Sequence, residues 1–344
     1  MKKNIFRKLA AGIIMSSLAF AAAPLFASGS EDFHADMDSA LAAAKKSSKA
    51  LLIFITQEGE DQLSESFMKT VNEPEVLNRI SSYEPVLMDF TQKSFEKTVV
   101  RDTDSAEEQA KAKDLADIMQ KNSRFAALIN PEFTPAVYLF SKEGYYVSHL
   151  VLKGDEDAAG FLKALSDDEV KLNALNQMVA KTKAGKPLEK VAAIDKLLEA
   201  TQPEYRFFLI DMVNTAIGLD KKNKSGLMNK YLITRAEYDV TMAYYDNNAP
   251  AAVNTYVNLA KEKFLSGEEK QRSYYMAALI MIKSSGAESL PMIIAYLEKA
   301  IAAAPASADV AKLKENLDYF KDYQAKMNAA QAAGGKQDSQ DGNK

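Results

Sequence analysis

The sequence predicts an α/β domain followed by an all-α domain of helical hairpins, and three observations lead to this prediction. Apolar runs of strand length alternate with helical segments over residues 36–166. From Asp168 onward such runs disappear, and apolar residues recur at helical spacing over residues 168–328. Short breaks rich in Gly, Pro and Ser separate these helical segments, as expected for antiparallel helix pairs stacked side by side. A chain of 344 residues is long enough for two domains.

Residues 1–27 have the pattern of a secretory signal peptide. Four basic residues precede or open an apolar, Ala-rich run over residues 9–26, and Ala27 follows as a small residue at a plausible cleavage site. A retained membrane anchor is the alternative, but the run is short and a cleavage pattern follows it. We therefore expect a periplasmic or secreted protein with no stable membrane span after cleavage.

Composition excludes several classes of function. Loss of the signal peptide would remove four positive charges and take the net charge from −4 to −8, which argues against nucleic acid as a partner. The chain contains no cysteine, so thiol catalysis, disulfides and cysteine-ligated metals are excluded. The two histidines, His34 and His149, are far apart, which argues against a histidine zinc site or a Ser-His-Asp triad. No cofactor is predicted.

The first half contains four predicted strands and four predicted helices. The run at residues 50–56 is apolar throughout, which is typical of a central strand covered on both faces. Helices between the early strands predict parallel crossovers, and the turn at residues 141–144 predicts an antiparallel hairpin. The predicted order is helix 36–44, strand 50–56, helix 62–70, strand 83–90, helix 106–121, strand 133–140, strand 145–150 and helix 156–165.

A Thr-Pro step, Thr134-Pro135, leads into the third strand. Proline lacks an N–H group and therefore belongs at the first residue of a strand. This step, the order of elements and the Asn-Glu-Pro-Glu-Val segment at residues 72–76 together resemble the thioredoxin-like family over residues 36–166. The resemblance implies a cis Thr134–Pro135 bond that faces the position of the family's active site.

The redox residues of that family are absent. The resemblance places the family's Cys-x-x-Cys motif on Glu60-Asp61-Gln62-Leu63, so both cysteine positions carry other residues. Gly59 stands at the family's tryptophan, and Phe54 stands near its buried acid. The resemblance therefore implies a thioredoxin-like protein without redox chemistry, and we expect that it is not an enzyme.

Thr134 and Pro135 are the candidate binding residues. In the family, the backbone of the residue before the cis proline binds extended polypeptide, which requires geometry and no thiol. We therefore expect a non-catalytic protein that binds a polypeptide partner in the cell envelope, through this loop, the helical domain or both. The alternative is that Pro135 only shapes the edge of the sheet.

Two other functions stay open. Acidic residues cluster at Glu58, Glu60, Asp61 and Glu65, which suits either a calcium-assisted enzyme or simple interaction with a helix dipole. A purely structural envelope scaffold is the second open function.

On the hairpin, strand alternation predicts Tyr145 and His149 on one face and Tyr146 on the other, where all three would serve packing.

The second half predicts about eight helices. Residues 297–305 resemble the second helix of a tetratricopeptide repeat, although earlier segments lack the signature residues of that repeat. Several tyrosines could line a groove, but half-buried packing is their more common role. Residues 329–344 are of low complexity and predict a disordered tail.

Overall fold

A computed structural model of the protein describes residues 33–57, 61–152 and 157–334. The predicted signal peptide and residues 335–344 of the predicted tail lie outside these ranges, as does the acidic segment 58–60. None of the helices described is both long and apolar enough to cross a membrane.

A mixed four-stranded sheet forms the N-terminal part, with strand order β2-β1-β3-β4. β1 and β2 are parallel, whereas β3 is antiparallel to both β1 and β4. The predicted parallel pair and the predicted hairpin are therefore both confirmed. The strands are β1 (Leu51–Gln57), β2 (Glu84–Phe90), β3 (Ala136–Phe140) and β4 (Tyr146–His149).

Within the described ranges, five helices accompany the sheet before its last two strands. Two of their N-termini show clear capping signals: Asp36 accepts a hydrogen bond from the Ser39 backbone N–H, and Ser105 forms a reciprocal capping box with Glu108. The helices are α1 (Met37–Ser47), α2 (Asp61–Val71), α3 (Pro74–Ile80), α4 (Gln92–Glu96) and α5 (Ala106–Ile129).

Helices cover both faces of the sheet, as the apolar run of β1 predicted. Leu51, Ile53 and Ile55 pack in one core with residues of α1 and α5. On the opposite face, Phe54 lies 6.4 Å from Phe161 between ring centroids. Because successive strand side chains point to opposite faces, a strand that is buried in all but its last residue needs a layer on each side.

Helix α6 (Ala158–Lys183) crosses the predicted domain boundary at residues 166–168 without a break. Leu165 and Asp168 are both buried, so this stretch is part of a packed helix and not a linker. The polar composition was misleading here because Lys163 pairs with Asp167 and Lys171 with Asp168 along the helix. The described residues from His34 onward form one compact unit. The division of the chain into two domains at this boundary stays a prediction.

The C-terminal part is helical, and no strand occurs among its described residues. Each helix packs mainly against its neighbours in sequence, as in a linear stack of hairpins. The helices are α7 (Pro187–Ala200), α8 (Ile210–Leu219), α9 (Met228–Tyr245), α10 (Ala249–Leu259), α11 (Gly267–Ser284), α12 (Leu290–Ala303) and α13 (Val310–Gly334), with 3-10 turns at Pro203–Leu209 and Ala287–Ser289.

Helix α13 extends beyond the point at which the tail was predicted to begin. It continues to Gly334, whereas disorder was expected from Ala329. The segment at residues 329–333 contains four alanines, and alanine has the highest intrinsic helix propensity. The prediction of a disordered tail is therefore wrong for residues 329–334.

Candidate functional site

The Thr134–Pro135 peptide bond is cis, as predicted. Pro135 is buried, Thr134 is half-buried, and β3 begins at the next residue. Ala136 pairs with Ile55 in the antiparallel ladder, two residues before the end of β1. The Thr-Pro step therefore lies beside the carboxyl end of the central strand.

The backbone of Thr134 is unpaired in the described part of the chain. Neither its N–H nor its C=O makes a hydrogen bond there, although the ladder begins only two residues later. Buried backbone groups are nearly always paired, so a half-buried segment without partners offers its groups to water or to a ligand. The family resemblance implied a backbone edge for a bound polypeptide at this residue, and that role stays a prediction.

The remaining predicted residues are only partly described. Helix α2 begins at Asp61 and includes Gln62 and Leu63, but the side chains of these three residues lie outside the described part of the structure, as does Glu60. Ser64 Oγ donates to the backbone oxygen of Gln57 at 3.2 Å and connects α2 to the end of β1. The start of α2, which holds three residues of the segment predicted to replace the redox motif, and the Thr-Pro step thus border the same strand end.

The acidic cluster that was considered for a cation lies outside the described side chains. Its members are Glu58, Glu60, Asp61 and Glu65. Elsewhere in the described residues, no group of three or more potential ligand side chains is arranged to hold a metal ion.

A β-bulge changes the predicted arrangement of the hairpin side chains. Tyr138 pairs with His149, whereas Phe140 pairs with Tyr146, and the register shifts between these pairs. Cross-strand partners share a face, so Tyr146 and His149 lie on the same face of the sheet. The prediction that Tyr146 and His149 lie on opposite faces is therefore wrong. Strict alternation failed because the bulge inserts one extra residue into β4.

A groove opens beside the Thr-Pro step on this face of the sheet. It has a volume of about 330 Å³, within the range of ligand-binding clefts. Phe133 and Ala136 line it on either side of the step, although Thr134 and Pro135 themselves do not. We name this feature the Thr-Pro groove, and its principal side chains are Glu132, Phe133, Tyr138, His149, Glu204 and Tyr205.

The rings of the Thr-Pro groove hold one another in place. Tyr205, from the 3-10 turn of the helical part, stacks on Tyr146 with centroids 3.6 Å apart and an interplanar angle of 20°. The ring of His149 lies 6.1 Å from that of Tyr138. Phe133 is 49% exposed, so its ring is available for contact with a partner. The groove therefore combines fixed aromatic walls with one exposed aromatic rim.

Two glutamates, Glu132 and Glu204, line the Thr-Pro groove. Burial raises the pKa of Tyr138, and the neighbouring Tyr205 and Glu132 raise it further. Burial likewise raises the pKa of Tyr205, to which Glu204 and Glu132 also contribute. Both glutamates are exposed, and neither forms an ion pair within the described residues. Two negative charges therefore act on the same aromatic site.

A second cavity of about 500 Å³ lies where α1 and α5 meet the hairpin turn and the helical part. Its walls are mostly apolar and include Phe125 and Phe208. Two buried acceptors on its lining residues, Oδ1 of Asn122 and Oε2 of Glu143, lack partners among the described atoms. These oxygens are covered by protein atoms, so this cavity does not present them to a ligand.

Sequence reasoning missed several members of the Thr-Pro groove, among them Glu132, Phe133, Glu204 and Tyr205. Glu132 and Phe133 directly precede the predicted loop, and their proximity to Thr134 was a usable signal. Tyr205 comes from the helical part, and no local pattern connects it with Tyr146, on which it stacks although Tyr146 lies 59 residues earlier. Among the tyrosines of the helical part, for which packing was the more common role expected, Tyr231 is fully buried, whereas Tyr244 is 51% exposed.

Comparison with known proteins finds similarity only to uncharacterised ones. A family model described as an uncharacterised protein C-terminal domain matches residues 227–326, which correspond to α9 through most of α13. An uncharacterised protein of Treponema pallidum (strain Nichols) is 28% identical over 187 residues. The match covers 53% of this chain and 61% of that protein, so the chain spans about three fifths of its relative's length. No solved structure matches the chain.

Proposed function

We propose that this protein binds an extended segment of a polypeptide partner across the Thr134–Pro135 step and does not catalyse a reaction. The observation that carries this proposal is the backbone of Thr134, which makes no hydrogen bond among the described residues and lies beside an aromatic groove. Backbone groups at the end of a sheet can pair with an added strand, and a neighbouring pocket can accept one of its side chains. The predicted signal peptide would place this partner in the cell envelope.

The fold assignment that belongs to this proposal is a thioredoxin-like N-terminal domain with a tetratricopeptide-like helical domain. The mixed sheet and its order β2-β1-β3-β4 support the first part. The sequential packing of helices supports the second part. The absence of cysteine leaves such a domain with binding as the activity that its geometry serves.

Selection from a phage-displayed library of random 12-residue peptides, with the purified protein as bait, tests this proposal. We expect enriched peptides whose affinity, measured by calorimetry after synthesis, falls about tenfold in Phe133→Ala, because an exposed aromatic ring is a typical interface anchor. Phe133 is half exposed, so its truncation should leave folding intact.

Phe95→Ala is the matched control, because Phe95 is 40% exposed and lies on α4, away from the residues that line the groove. This variant should bind the selected peptides as the unmodified protein does. Failure to enrich any peptide would reject polypeptide binding, and an equal loss in both phenylalanine variants would reject the Thr-Pro groove as the site.

A further inference from the structure

We propose that the Thr-Pro groove selects a lysine or arginine side chain of the bound polypeptide. This inference rests on the proposed function and names the class of segment that the groove recognises. Three features of the groove support it: its charge, its aromatic walls and the lack of a basic residue of its own among the described residues.

The charge of the groove favours a cation. Its lining contains Glu132 and Glu204 but neither lysine nor arginine. Elsewhere on the described surface, many carboxylates are paired: Asp195 lies 2.6 Å from Lys230, and Glu298 lies 2.8 Å from Lys321. The two groove glutamates have no ion-pair partner within the described chain. A basic side chain of a ligand would therefore be their partner.

The aromatic walls favour the same class of side chain. Ammonium and guanidinium groups are attracted to the face of an aromatic ring within about 6 Å, more strongly when water is excluded. The exposed Phe133 and the half-buried Tyr205 offer such rings, and the long aliphatic stem of lysine or arginine can pack along them. A carboxylate in the same place would meet two negative charges.

The groove also lies next to the backbone of Thr134, which has no hydrogen-bond partner in the described ranges and through which a polypeptide would be held in register. Phe133 and Ala136, which flank the step, both line the groove. A segment that pairs with Thr134 would therefore direct a side chain into the groove, since alternate side chains of an extended strand point to the same side. The acidic overall charge of the chain would assist the approach of a basic partner.

Pools of nine-residue peptides with one fixed central residue test this inference. The fixed residue is arginine, lysine, citrulline or glutamate, and the other positions are random. Citrulline has the shape of arginine without its charge. We expect the arginine and lysine pools to bind the purified protein about tenfold more tightly than the citrulline pool in fluorescence polarisation, and the glutamate pool to bind most weakly.

The double variant Glu132→Gln/Glu204→Gln should reduce the preference for arginine over citrulline to less than about twofold and leave citrulline binding unchanged. The control Glu107→Gln/Glu268→Gln removes the same charge from exposed positions outside the groove and should retain the preference. Raising the salt concentration should weaken binding of the arginine pool more than that of the citrulline pool.

The outcomes separate this inference from the proposed function. Equal binding of the arginine and citrulline pools, with binding still lost in Phe133→Ala, would overturn the basic preference and leave polypeptide binding intact. Unchanged selectivity in the Glu132→Gln/Glu204→Gln variant would also overturn it. If no pool binds at millimolar concentration, both the preference for a basic side chain and the proposed function are rejected.

Discussion

Tyr145 donates its hydroxyl hydrogen to Oδ2 of Asp211 across a distance of 2.5 Å. Tyr145 directly precedes β4, whereas Asp211 belongs to α8 of the helical part. The Tyr145 ring is 3% exposed and packs in a core with Val179, Leu197 and Val213. The β-hairpin thus contributes a residue to the helical core, and this contact joins the sheet to the helices.

Replacing Tyr145 with phenylalanine removes this hydrogen bond and keeps the ring. We expect the free energy of unfolding to fall by about 1 kcal/mol, since Asp211 is exposed and can exchange the lost donor for water. Urea denaturation followed by circular dichroism measures this loss. Tyr244→Phe is the control because Tyr244 is 51% exposed, and an equal effect there would contradict the role of the Tyr145 hydroxyl.

Alkaline pH should destabilise the protein through its buried tyrosines. Burial raises the pKa of Tyr145 above its ordinary value of 10.0, and the hydrogen bond with Asp211 adds to this. The unfolded chain releases the proton first, so this stabilising contribution is complete below about pH 10 and is lost as the pH rises further. Urea denaturation between pH 8 and pH 11 should show the decline.

Burial also raises the pKa of four other tyrosines, which should likewise lose stabilising free energy as the pH rises. They are Tyr83, Tyr138, Tyr146 and Tyr231. The decline should therefore be smaller in Tyr145→Phe but not abolished. A stability that stays constant up to pH 11 would contradict the burial of these hydroxyl groups.

Asp220 organises the turn between α8 and α9. It is 3% exposed and accepts hydrogen bonds from the backbone N–H groups of Lys224 at 2.7 Å and Ser225 at 2.9 Å, and from Ser225 Oγ at 2.6 Å. Burial alone would raise its pKa, but these hydrogen bonds outweigh burial and lower it.

Asp220→Asn should therefore cost about 1–3 kcal/mol of stability at neutral pH, because the amide accepts these bonds less well. The contribution of the carboxylate is present above its unfolded pKa, near 3.8, and is lost as the pH falls through its lower folded value. Denaturation at pH 7 and at pH 3 should show the difference from the unmodified protein shrinking in acid. Asp102→Asn, at an exposed position, should have no effect at either pH.

Replacing glycine with alanine at two helical positions should have opposite effects on stability. A Cβ atom at Gly267 would lie 2.6 Å from the backbone oxygen of Ala303, so Gly267→Ala should destabilise the α11–α12 contact by about 1–3 kcal/mol. Gly218 in α8 has no atom within 4 Å of an added Cβ, and Gly218→Ala should stabilise by up to about 1 kcal/mol. Melting temperatures of both variants test this contrast, and two shifts of the same sign would contradict it.

Phe161 should be essential to the layer that covers the sheet. It is fully buried on α6, and its ring lies 6.3 Å from that of Phe67. Phe161→Ala should cost about 3–5 kcal/mol, whereas Val170→Ala on the same helix should cost little because Val170 is 70% exposed.

The Phe161→Ala variant also tests whether the two regions fold independently. Because α6 is continuous through the predicted boundary, we expect one unfolding transition that shifts as a whole in calorimetry. Two transitions, of which only one shifts, would instead support separate domains at residues 166–168.

Local patterns determined most of the N-terminal architecture. The apolar run of β1, the glycine turn before β4 and the helix-capping residues act over a few residues, so the sequence indicates them without knowledge of distant contacts. The lack of cysteine likewise excludes thiol chemistry in any fold. The cis step was predicted from a family resemblance at Thr134–Pro135, and the structure has it there.

The tertiary structure decided what periodicity could not. The bulge in β4 placed Tyr146 and His149 on one face, because register depends on the pairing with β3 and not on β4 alone. Helix α6 continued through a polar stretch because its buried side packs on the sheet layer. Tyr205 reached the Thr-Pro groove only through the packing of the helical part on the sheet. Sequence patterns report neighbours along the chain, whereas these three features depend on contacts between residues that are distant in sequence.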